Sequence, residues 1–84
     1  MARTEVYVHA GLVEAMPLQR NQRERIMRFI SNLRDEPNHP GDFTDRDDTQ
    51  RIRQIKIIGD HAITYWHDSP VNIVTVVDIR HADH

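Results

Sequence analysis

Six histidines, ten arginines, one lysine and thirteen carboxylates are the side chains of this 84-residue chain that could do chemistry. General acid-base transfer at a phosphate needs a base, a cation to steady the developing charge and an acid near the leaving oxygen. His61, His81 and His84 have side chains whose ordinary pKa lies near neutrality, and Arg53, Lys56 and Arg80 are available as charge clamps. The plainer reading of such histidines, in a hairpin or near a chain end, is a solvated surface group. Trp66, between Tyr65 and His67, is either a packing residue or a platform for a base or partner peptide. Thr64 and His61 fall on the same stretch and join it as candidate binding residues.

Metal chemistry finds less support. His81 and His84 bracket Asp83, but histidines at i and i+3 converge on an ion only if the tail is helical. Asp42, Asp45, Asp47 and Asp48 lack the sixth-position glycine and twelfth-position glutamate of a calcium loop, and read as a solvated acidic loop around Phe43. No cysteine is present, which excludes disulfide scaffolds, thiolate metal sites and thiol nucleophiles and favours a reducing compartment. No metal and no cofactor is therefore expected.

The formal charge of -2 argues against a protein that coats nucleic acid, whereas the dominance of arginine over the single Lys56 favours planar anionic partners. Arg20, Arg23, Arg28 and Arg34 read first as a solvated helix face. Hydrophobic residues at 38% and charged residues at 29% describe a folded domain. Its length allows one small domain, 1–84, with a thin core. No apolar run approaches the ~20 residues that span a bilayer and no signal-type stretch follows Met1, so a cytoplasmic protein with no membrane partner is expected.

These residues must be positioned by a short list of elements. Val6 and Val8 alternate with Glu5 and Tyr7, a strand pattern over Thr4 to His9. Ala10 to Met16 suffices for a short helix before Pro17. Ile26, Phe29, Ile30 and Leu33 at i, i+3, i+4 and i+7 predict a long amphipathic helix that stops at Pro37. From Gln50 to His81 the texture is a three-stranded antiparallel meander with turns at Gly59-Asp60 and around Ser69-Pro70. Alternation places Ile55, Ile57, Ile63 and Tyr65 on one face, to pack on the helix, and Gln54, Lys56, Ala62, Thr64 and Trp66 on the other. The expected fold class is α+β: a short N-terminal strand, two helices, then the meander.

That order, with QIKIIGDHAITYW followed by NIVTVVDIRHADH, resembles the RelE/ParE superfamily, the small toxins of bacterial type II toxin-antitoxin and plasmid-stabilisation systems. The resemblance spans nearly the whole chain. It implies a cognate antitoxin as partner and ribosome-dependent cleavage of mRNA, or, in ParE-like members, inhibition of DNA gyrase. Lys56 matches a basic position on the first strand of the meander, Tyr65 the tyrosine closing the hairpin, and His81 the histidine after the last strand. Ala62 stands where an arginine is usual, and Ala82-Asp83 where a basic pair is usual.

Two functions are carried forward. The leading one is a toxin-like, metal-free endoribonuclease (an mRNA interferase) with His81 as acid or base and Arg53, Lys56 and Arg80 steadying phosphate. The rival is a non-enzymatic binder, either a gyrase inhibitor or a degenerate toxin fold that holds only an antitoxin-like partner. Trp66 and Thr64 are expected beneath that partner or beneath the second copy of a homodimer.

Overall fold

A computed structural model describes residues 4–82. The elements run β1 (Glu5–Val8), a short 3-10 helix (Ala10–Ala15), α1 (Arg20–Asn32), β2 (Phe43–Arg46), β3 (Ile52–Ile58), β4 (His61–Asp68) and β5 (Ile73–His81). The strands make one sheet in the order β1-β5-β4-β3-β2. β1 lies parallel to β5, and the other neighbours are antiparallel.

The expected two helices and three-stranded antiparallel meander are therefore corrected to a five-stranded mixed sheet with one short 3-10 segment and one 13-residue helix among the described residues. The first correction has a simple cause. Seven residues between His9 and Pro17 are too few to repay α-helix nucleation, and the residue before a proline is driven to extended geometry, as Met16 is at ψ 143°. The second correction concerns the supposed acidic loop, which contains β2 and a hairpin turn into β3. Asp47 builds that turn: its Oδ1 accepts from the Thr49 and Arg51 amides, each at 2.9 Å, and from the Thr49 hydroxyl at 2.7 Å. Gln50 then takes φ 66°, the left-handed conformation that lets the chain reverse.

α1 forms because its apolar residues recur at helical spacing, and it buries Ile26, Ile30 and, at its C-terminal boundary, Leu33. Phe29 is half-buried, edge-on to Tyr65 at a centroid distance of 5.4 Å. The helix ends at Asn32, short of Pro37, and turns carry the chain on. Ile58, Ile63, Tyr65, Val74, Val76 and Ile79 complete the core from the sheet, with Val6, Val8, Leu12 and Met16 packed around it.

The expected division of the sheet faces is corrected too. The two-residue turn at Gly59-Asp60 pairs Ile58 with His61, Lys56 with Ile63 and Gln54 with Tyr65, so residues of opposite parity share a face across it. Ile63 and Tyr65 lie on the helix side with Gln54, Lys56 and Ile58, whereas Ile55 and Ile57 lie on the other side with Arg53, Ala62, Thr64 and Trp66. A second parity change occurs in β5. A register shift places Thr64 opposite Asp78 but Tyr65 opposite Val76, so Val77 is the extra residue and Val74, Val76 and Ile79 all face the core.

Truncating a fully buried residue of α1 should cost more than truncating its half-buried neighbour. Ile26→Ala is expected to lose about 2 to 5 kcal/mol and Phe29→Ala less than that, by denaturant unfolding. A Phe29→Ala loss larger than that of Ile26→Ala would place the helix on a different face.

Candidate functional site

The side of the sheet away from α1 carries a shallow concavity of about 380 Å³, in which Arg53 on β3, Arg80 on β5 and Thr64 between them on β4 meet. Ile55, Ala62 and Val77 form its apolar floor. The antiparallel register assembles this site: Ala62 lies opposite Arg80, and Thr64 lies opposite both Ile55 and Asp78.

Its two cations are already engaged. Arg53 donates from Nε and from an Nη to the two oxygens of Asp45, at 2.8 and 2.7 Å. That bond holds the guanidinium above its ordinary pKa, so it stays charged. Arg80 donates to Asp78 on its own strand. Two arginines and two aspartates thus balance within one concavity, and an incoming phosphate would have to displace or share carboxylates.

Trp66 lies on the same face, half-buried, with the Arg51 guanidinium carbon 3.7 Å from its ring centroid. Arg51 is oriented in turn by Asp47, 3.6 Å away. Tyr7 on β1 and Phe43 on β2 add exposed aromatic surface to the two edges of this face.

The histidines gather elsewhere. At the end of the sheet, His61 Nδ1 lies 2.9 Å from Asp60 Oδ1 and His81 Nε2 lies 3.1 Å from Asp60 Oδ2, with the rings edge-on at 5.3 Å. One carboxylate in the β3–β4 turn therefore links two imidazoles, one buried and one exposed. The bond from His61 is the main cause that holds the Asp60 carboxyl below its ordinary pKa, and the charge of His81 adds to it. The Ala82 amide donates to the Asp60 carbonyl at 2.7 Å, tying the end of β5 to the same turn.

The catalytic candidates therefore fall into three groups. Arg53 and Arg80 share the concavity, His81 joins His61 at Asp60, and Lys56 projects to the helix side with its ammonium 3.7 Å from Asp42. Of the binding candidates, Trp66 and Thr64 share the open face, and His61 does not. His84 and Asp83 lie outside the described residues. Among the described residues no group of three or more His, Asp or Glu side chains is arranged to hold a metal ion, and no helix is long and apolar enough to cross a membrane.

Sequence reasoning passed over Asp45, Asp78 and Asp60, which fix Arg53, Arg80 and both histidines. For Asp45 a signal was present: Phe43-Thr44 has strand character and is followed by the Asp47–Gln50 turn, which brings Asp45 opposite Arg53. For Asp60 and His81 no local signal exists, because their meeting depends on the register of β4 against β5. No protein-family model, curated protein or solved structure matches the chain.

Two titrations follow from these contacts. The folded-state pKa of Asp60 is depressed, so its contribution to stability is present above the ordinary carboxylate value of about 3.9 and is lost as pH falls through the lower folded value. Asp60→Asn should flatten this acid limb in denaturant unfolding across the acidic range, and identical limbs in the two proteins would count against the link. Tyr65 behaves oppositely: burial, with the Asp42 charge adding, pushes its hydroxyl up to about 12 while it donates to the His39 carbonyl at 2.7 Å. Its contribution is present below the ordinary tyrosine value of about 10 and is lost as pH rises towards the folded value. Tyrosinate absorbance should accordingly show Tyr65 ionising above the ordinary tyrosine value.

Proposed function

We propose that this chain is the cytoplasmic, toxin-like component of a bacterial type II toxin-antitoxin or plasmid-stabilisation module, and that it acts by binding its target through the open face of its sheet. The observation that carries the binding mode is the internal neutralisation of Arg53 by Asp45 and of Arg80 by Asp78. A phosphoryl-transfer site needs uncompensated cations aimed where charge develops, whereas a protein partner is matched by a mixed-charge concavity flanked by aromatic side chains. Trp66 under Arg51, with Phe43 and Tyr7 towards the edges, supplies those side chains. The residues that resemble the RelE/ParE texture support the wider role, with a cognate antitoxin as regulator and DNA gyrase as a target of the binding kind. Ala62 in the concavity, where that texture has arginine, weakens cleavage further.

One observation favours the second reading, ribosome-dependent cleavage of mRNA. Asp60 orients His61 and His81 beside each other, a carboxylate-held pair suited to acid-base work once a ribosome positions the RNA.

Expression in a bacterial host separates the two. Under the binding reading the wild-type chain arrests growth, Trp66→Ala or a paired Arg53→Ala/Arg80→Ala change relieves the arrest, and His81→Ala leaves it intact. Relief by His81→Ala, with loss of mRNA cuts in arrested cells, would transfer the function to the cleavage reading. No arrest by the wild-type chain would refute both.

A further inference from the structure

On the helix side, away from the open face, three large apolar side chains that the monomer leaves in water come together. Val13 is 67% exposed, Met27 47% and Leu18 93%, and all three line a groove of about 660 Å³ between the 3-10 helix and α1. Met16 and Pro17 line it with them. Leu18 is the knob of this surface and stands on the segment joining the 3-10 helix to α1, where Met16 and Gln19 are extended at ψ 143° and 124°.

The rim identifies the occupant. It carries Glu14 and Glu24 as well as Arg23 and Arg28, two charges of each sign. A nucleic acid or acidic partner calls for a rim of one sign. An isologous interface calls for a patch that is its own complement, offering knob and groove, cation and anion, on the same surface. We propose that this groove is the interface of a symmetric homodimer, in which Leu18 of each copy enters the groove of the other and Glu14 of each meets Arg23 and Arg28 opposite. The pairing leaves the concavity on the other side of the sheet free, so it stands independently of the toxin-antitoxin reading.

Sedimentation equilibrium of the full chain across a concentration series tests the interface. The expected result is a reversible monomer-dimer equilibrium that Leu18→Glu abolishes without lowering the thermal midpoint of the monomer, since Leu18 supports nothing within its own chain. A charge-reversal pair gives the sharper readout. Glu14→Arg chains and Arg23→Glu/Arg28→Glu chains should each be monomeric alone and should dimerise when mixed, because every rim contact is then again between opposite charges. A wild-type chain that stays monomeric at high concentration overturns the proposal in favour of another occupant. A dimer indifferent to Leu18→Glu, or variants that fail to pair when mixed, also overturns it.

Discussion

The turn at Gly59-Asp60 is the constraint on which the rest of the structure depends. Gly59 takes φ 61°, a conformation that L side chains adopt rarely, and a Cβ there would run into the side chain of Gln22. Gln22, buried on α1, reaches into that space and donates to the Ile58 carbonyl, while its own oxygen accepts from Arg25 at 3.2 Å. One glycine thus allows helix and hairpin to approach closely enough for a buried side-chain amide to find partners for both its nitrogen and its oxygen. The same turn has only two residues, so it fixes which side chains of β3 and β4 share a face. It also places Asp60 where His61 and the end of β5 converge. Helix docking, face assignment and the histidine cluster all follow from that reversal.

The charge arrangement on the sheet favours the proposed binding mode over catalysis. Arginine was selected out of the sequence as the residue for anionic partners, and on the surface of α1 it remains exposed. Around the open face three arginines are each answered by an aspartate: Arg53 by Asp45 across a strand pair, Arg80 by Asp78 along a strand, and Arg51 by Asp47 across the β2–β3 turn. Cross-strand and turn pairs of this kind orient the guanidinium groups, and Arg51 consequently sits over the Trp66 ring. Orientation is gained while free positive charge is lost. That exchange suits specific contact with a partner surface better than electrostatic stabilisation of a transition state.

How much of this could be read from the sequence depends on the range of the interaction that decides it. The stripe Ile26, Ile30, Leu33 was legible because a helix face is fixed by residues within two turns of one another. The strands β1, β3, β4 and β5 were legible from alternation and turn residues. β2 was hidden because three of its four residues are not hydrophobic and Asp42, Asp47 and Asp48 around it have the composition of a loop, although two of those aspartates are structural acceptors. The faces of the sheet were assigned incorrectly for Ile55 and Ile57 because parity reverses across a two-residue turn, a geometric fact that the pattern within each strand cannot express. The grouping of Arg53 with Arg80, and of His61 with His81, rests on the β4–β5 register and its extra residue at Val77, which no local motif announces.

Small size gives these surfaces their common cause. A chain of 84 residues has one helix of appreciable length among its described elements, and a single helix can cover only one side of a five-stranded sheet. On the uncovered side, Asp-Arg pairs interrupt an apolar floor of Ile55, Ala62 and Val77. The helix side meets a different shortage, since the six-residue 3-10 segment packs Leu12 and Ala15 inward and leaves Val13 and Leu18 with no element to lie beneath. Under the proposed function and the proposed dimer, each side is completed by a second body. The two sides differ in what they ask of it: a mixed-charge, aromatic surface calls for a specific partner, and a self-complementary apolar groove calls for another copy of the chain.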